Sequence, residues 1–141
     1  MHSHEYSFEL RNDLSELETL SQHLNKFGEG TSLSEASITD VNICLDELFT
    51  NIISYGFKDN LEHITQFHLH LNDNELTVII EDEGVAFNPL KKKDPDIPAD
   101  LKDVKIGGLG IHIVRKLMDD IHYERKDGKN KLTLKKRSNF L

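Results

Sequence analysis

Three short segments carry residue types whose spacing could do chemistry. In Leu45-Asp46-Glu47-Leu48-Phe49-Thr50-Asn51, Glu47 and Asn51 stand four apart, so on a helix they share one face. A carboxylate beside an amide oxygen can hold a hard cation such as Mg²⁺, directly or through water; a solvated helix face is the plainer reading of the same spacing. In Glu81-Asp82-Glu83-Gly84-Val85-Ala86-Phe87-Asn88-Pro89 a strand-like run ends in Asp82, and Gly84 follows two residues on. A glycine there permits close backbone approach to a ligand. A buried Asp at that point can accept a hydrogen bond from an exocyclic amine of the kind adenine offers, the alternative being a capped turn. In Gly107-Gly108-Leu109-Gly110-Ile111-His112 glycines open a helix. Backbone N–H groups at the positive end of a helix dipole make an anion site, and a flexible hinge is the competing reading. This segment is no Walker A loop, since Gly-x-x-x-x-Gly-Lys-[Ser/Thr] occurs nowhere in the chain. It also lacks the glycine spacing and the leading strand of a Rossmann fingerprint.

These residues need elements to position them. Tyr6, Phe8 and Leu10 alternate with polar residues, which predicts a strand over 6–10. Asp13 with Glu16 reads as an N-cap pair for a helix carrying Leu14, Leu17, Leu20 or Ser21, Leu24 and Phe27, closed by Gly28 and Gly30. Ser32-Leu33-Ser34-Glu35 starts a longer helix with the stripe Ile38, Val41, Leu45, Leu48 and Ile52, ending near Gly56. Glu47 and Asn51 lie off that stripe. Residues 64–71 and 76–81 flank Asn72-Asp73-Asn74 and read as a hairpin. All three prolines and the lysine run 91–93 fall within residues 84–106, a loop long enough to suggest function or mobility. Ile111, Val114, Leu117 and Met118 form a short helix, and strands over 121–126 and 131–136 flank Asp127-Gly128. This order disfavours a doubly wound parallel sheet. It predicts an α+β, two-layer sandwich: a mixed, mostly antiparallel sheet with helices on one face.

The 141 residues suffice for one domain, 1–141, with a real core. The formal net charge of -8 argues against nucleic acid as the main partner, because neutralising phosphates takes clustered Lys and Arg. The single cysteine, Cys44, leaves no intrachain disulfide framework and reads as core. The N-terminus lacks an apolar signal region, and no run reaches the roughly 20 apolar residues of a membrane span; a reducing cytosol is the expected compartment. His68 and His70 lie two apart on one face of a strand, with no third ligand at a sensible spacing for structural zinc. The lysine run reads as a solvated loop, with a phosphate contact as the sharper alternative. No nucleophile elbow is present.

Taken together, in this order and spacing, the three segments resemble the N, G1 and G2 boxes of the GHKL (histidine kinase-like, Bergerat) ATPase superfamily. The match is closest to the anti-sigma-factor serine/threonine kinases and runs from the first strand to the last. The run from Gly107 to Arg115, followed by Leu117-Met118-Asp119, is its most specific part. The resemblance implies ATP or ADP with Mg²⁺ as the bound group, Asn51 as metal ligand and Glu47 as the residue that orients or deprotonates the nucleophile. It further implies Asp82 at the adenine amine with Gly84 beside the ring, Gly108, Leu109 and Gly110 around the phosphates, and residues 84–106 as an ATP lid. Implied partners are a STAS-type antagonist carrying the accepting Ser or Thr, a sigma factor or equivalent effector, and a second copy of the chain. Two positions depart from the pattern: Ala86 stands at the usual second glycine of G1, and Asn130 stands near the Gly-Thr that often opens the last strand. A histidine-kinase catalytic module is disfavoured, since about 30 residues precede the second helix. A nucleotide-gated binding protein without phosphotransfer is the non-enzyme alternative.

Overall fold

Side-chain alternation lays out the sheet. The computed structural model describes residues 3–57, 59, 61–91 and 110–137. Within them strands β1 (Ser3–Arg11), β2 (Ile64–Asn72), β3 (Glu75–Asp82), β4 (Asp120–Lys126) and β5 (Lys129–Arg137) join in the order β1-β2-β3-β5-β4. The sheet expected to be mixed is antiparallel at every described pairing. After β3 the chain re-enters at the far edge as β4, then folds back as β5 into the place beside β3. Two-residue turns close the hairpins, Asp73-Asn74 after β2 and Asp127-Gly128 after β4. Asp127 and Gly128 take φ of 53° and 75°, the paired positive values that match a hairpin's twist.

Helices α1 (Leu17–Glu29), α2 (Glu35–Tyr55) and α3 (Gly110–Leu117) share one core with the sheet. Asp13 caps a 3-10 turn over Leu14–Glu16, its Oδ1 accepting from the Ser15 N–H at 2.9 Å. The α-helix proper therefore starts later than the sequence suggested, and Leu14 stays exposed while Leu20, Leu24 and Phe27 are buried. Gly28, expected to help end α1, lies inside it. A Cβ there would come within 2.9 Å of Ile38 Cγ1, so the glycine lets α1 and α2 close up. Ser34 caps α2, its hydroxyl oxygen accepting from the Ser37 N–H at 3.1 Å.

The register brings inward-facing residues into rows. Phe8, Phe67, Ile80, Leu132 and Tyr123 form one such row, strand to strand. Phe67 stacks on Phe8 at 4.9 Å and meets Phe49 of α2 edge-on at 5.5 Å. Cys44 is fully buried in this core. Burial pushes its thiol up to about 12. The thiolate is the nucleophile, so alkylation by iodoacetamide at pH 8 is expected to be at least ~100-fold slower in the native protein than in the unfolded chain. Equal rates would show that Cys44 is accessible.

Candidate functional site

β3 alternates Leu76, Val78 and Ile80 into the core, and Asp82 is the next residue of that series. The strand's own period thus buries a carboxylate, at 6% exposure, at the strand's C-terminal end. Its Oδ1 accepts from the Gly84 N–H at 2.8 Å and from Asn130 Nδ2 at 3.0 Å. Gly84 must be a glycine here, because a Cβ would run into the Gly56 carbonyl oxygen at the end of α2. The next residue seals the same contact, Val85 N–H donating to Gly56 O at 2.8 Å. Arg125 Nη1 donates to the Gly84 carbonyl at 2.7 Å.

Asn51 comes to this end of the sheet from α2, and it lines one cleft with Asp82 and Asn130 between walls that include Leu48, Ile52, Phe87 and Tyr123. A concave, mostly apolar cleft with a few convergent polar groups suits a flat heterocycle. Asn51 is 3% exposed, and its Oδ1 is buried without a hydrogen-bond partner. An amide oxygen left so costs roughly 1–3 kcal/mol, which marks it as a place where a ligand atom belongs. Glu47, one turn earlier, meets α3: a Cβ added to Gly110 would strike the Glu47 carboxylate. The neighbouring Asp46 carboxyl is pushed up, first by burial and then by the Glu47 charge.

The structure thus brings Asn51 and Asp82 into one cleft and sets Glu47 against the first residue of α3. Gly108 and Leu109 lie outside the described residues, as do residues 92–106 of the expected lid. Arg115 of α3 donates to Leu90 O at 2.5 Å, in the 3-10 turn Pro89–Lys91 where the described part of that loop ends. Ala86 causes no strain. Among the described residues positive φ outside glycine is confined to Asp73 and Asp127. His68 and His70 sit on the opposite face of the sheet, beside Ser7 and Ser3.

Sequence reasoning undervalued Asn130 and missed Tyr123, Arg125 and Phe87. Asn130 lies directly across from Asp82 in the β3–β5 register. That neighbourhood depends on a strand pairing between residues 48 apart in the chain, which no local pattern announces.

A sequence profile described as the histidine kinase-like ATPase domain matches residues 10–136. The chain belongs to that family. Among relatives of this histidine kinase-like ATPase domain, the serine/threonine-protein kinase BtrW of Bordetella bronchiseptica is 34% identical over 96 residues, which are 67% of this chain and 66% of that protein. The serine-protein kinase RsbW of Bacillus thuringiensis is 32% identical over 102 residues, 70% of this chain and 63% of its own length. The anti-sigma F factor of Clostridium novyi is 26% identical over 87 residues, covering 62% and 61%. The matched span is therefore just under two thirds of each relative's length. A crystal structure of the RsbU and RsbW domains of a Mycobacterium tuberculosis protein superposes with a TM-score of 0.64 at 14% identity, covering 98% of this chain and 34% of that one. That likeness bears on the fold.

A histidine kinase-like ATPase domain takes ATP with a divalent metal, and the residues present fit that load. Asn51 offers a buried oxygen that lacks a protein partner, a hard donor suited to a hard cation. Asp82 spends Oδ1 on protein donors, which leaves Oδ2 able to accept from a ligand donor. Among the described residues no helix is long and apolar enough to cross a membrane.

Proposed function

We propose that this chain is a Mg²⁺- and ATP-dependent protein serine/threonine kinase, which also acts as an anti-sigma regulatory factor in a cytosolic partner-switching pathway. The observation that carries the reading is the partnerless Asn51 Oδ1, one helical turn from Glu47, in the cleft that ends at Asp82. In this reading Asn51 ligates the metal through Oδ1, and Asp82 accepts from the adenine amine. Gly84 lets the backbone close on the ring, while Gly108, Leu109 and Gly110 turn backbone N–H groups to the phosphates. Residues 84–106 serve as the ATP lid, and the whole of 1–141 as one domain. The metal supplies neutralisation of charge on the phosphates.

Glu47 takes the proton of the attacking Ser or Thr hydroxyl. The hydroxyl oxygen bonds to the γ-phosphorus as its bond to the bridging β–γ oxygen breaks, and ADP departs. The names of the Bordetella and Bacillus relatives support the kinase assignment, and that of the Clostridium relative the anti-sigma role. The phosphorylation substrate we assign is a STAS-type antagonist, the second partner a sigma factor or equivalent effector, and the oligomer a homodimer.

A ligand that binds only the folded state adds about 2.7 kcal/mol at a hundredfold excess over Kd, a melting shift of several degrees in a domain of this size. Mg-ATP and Mg-ADP are expected to give that shift, and labelled ATP is expected to pass its γ-phosphate to the antagonist. Absence of any shift at millimolar nucleotide rejects the nucleotide site. A clear shift without transfer replaces the kinase by a nucleotide-gated binding protein.

A further inference from the structure

Asn130 is 6% exposed and makes four hydrogen bonds with its one amide. Nδ2 donates to Asp82 Oδ1 at 3.0 Å and to the Val85 carbonyl at 2.9 Å. Oδ1 accepts from the Tyr123 hydroxyl and from the Phe87 N–H at 3.4 Å. The amide orientation follows from its partners. Flipped, the NH₂ would face the Tyr123 hydroxyl and the Phe87 N–H, while the oxygen would face a carboxylate and a carbonyl. Every donor and acceptor of the side chain is therefore used inside the protein, and none is left for a ligand.

The arrangement has a chemical consequence for Asp82. Gly84 N–H and Asn130 Nδ2 both load Oδ1. That fixes the carboxylate plane and leaves Oδ2 as the free acceptor in a cleft that Asn130 itself helps to line. The same amide pins Val85 and Phe87, so the loop leaving β3 is locked to the acceptor. Resting on the nucleotide-site reading above, we propose that Asn130 is the positioning residue for nucleobase selectivity. It presents Asp82 Oδ2 to an exocyclic amine, and the site thereby prefers a 6-amino purine to a 6-oxo purine. An oxo group would set two acceptors against each other. A shorter Thr side chain could not reach Asp82, Val85 and Phe87 together.

The test compares ATP with inosine triphosphate, which carries the same sugar and phosphates but an oxygen at position 6. Binding is read by titration, in the parent and in the Asn130→Ala, Tyr123→Phe, Asp82→Asn and Asp82→Asn/Asn130→Ala variants. The parent prefers ATP. Asn130→Ala lowers that preference about tenfold, the scale of losing one hydrogen bond to a charged group, with inosine triphosphate affinity within about threefold of the parent. Tyr123→Phe lowers the preference by about threefold, and it carries the test if Asn130→Ala does not fold. Once Asp82 is Asn, removing Asn130 changes the preference no further, because the two act as one unit. A role in packing alone moves both nucleotides equally.

Amide exchange in the ligand-free protein supplies a readout independent of nucleotide. Gly84 and Phe87 exchange faster in Asn130→Ala, while the β1–β2 ladder is unchanged. An unaltered ATP preference in both Asn130→Ala and Tyr123→Phe, with the parent still selective, overturns this inference and leaves the nucleotide site standing. A parent that binds neither nucleotide overturns both.

Discussion

Glu47→Ala should lower phosphoryl transfer to the antagonist by about 10²–10⁴-fold, the usual contribution of a positioned general base, and leave Mg-ATP affinity within a few-fold. The two effects separate because of where Glu47 sits. It lies one turn before Asn51 on α2, with its carboxylate against the first residue of α3. Its mutation removes a negative charge beside the start of α3, where the proposed phosphate site lies, and leaves Asp82, the proposed anchor of the base, in place. Phosphoryl transfer is mostly positioning and charge neutralisation, so a carboxylate that takes the hydroxyl proton affects the transfer step far more than binding. Glu47→Gln is the sharper variant, since it keeps the packing against Gly110 and discards basicity; it should lose as much rate as Glu47→Ala. The measurement is a phosphorylation time course beside a titration with a fluorescent ATP analogue. Transfer by Glu47→Gln at the parent rate would remove Glu47 from the role of base and leave positioning as its function.

The sequence exposed the parts of this site that obey a local period. Glu47 and Asn51 were found because i and i+4 share a helix face, and Asp82 because a strand-like run ends there with Gly84 two residues on; that the strand's alternation buries it came from the structure. Gly84 was recognised as a place of close approach, although the atom it approaches, Gly56 O, comes from another element. The places of the hairpin turns and the one-sided core were legible for the same local reason, although the structure shortens the turn read as Asn72-Asp73-Asn74 to Asp73-Asn74. Long-range pairing was not. The placing of β5 between β3 and β4 puts Asn130 opposite Asp82, and from the sequence alone Asn130 looked like a departure from a pattern. The sheet was read as mostly antiparallel; that the pairing of β5 with β3 is antiparallel too depends on how the chain crosses after β3, which no local pattern gives. Leu14 misled for a different reason. Its spacing fits the α1 stripe, yet Asp13 caps a tighter 3-10 turn that rotates Leu14 out to solvent.

Asn51→Ala should move two quantities in opposite directions. Mg-ATP affinity should fall by about 100-fold or more, at the upper end of what even a residue supporting a metal ligand contributes, and phosphoryl transfer should fall with it. Ligand-free stability should rise by about 1 kcal/mol, or a few degrees in melting temperature. The stability gain follows from the orphaned Oδ1: a buried acceptor without a donor costs roughly 1–3 kcal/mol, and the substitution deletes it. Alanine also suits the interior of α2 better than asparagine, by several tenths of a kcal/mol. Some packing is lost in return, but Asn51 borders the cleft, so the space opened joins an existing hollow rather than leaving a sealed void. A purely structural asparagine behaves in the opposite way, since removing it from a satisfied network lowers stability and affects the ligand only through folding. Melting curves with and without Mg-ATP, and with the metal chelated, measure both quantities in one experiment. A variant that melts lower than the parent and still shows the full metal-dependent shift would take Asn51 out of the metal site. A variant that melts higher and no longer responds to Mg-ATP would identify the residue as one kept unsatisfied in the folded protein because its partner is the metal.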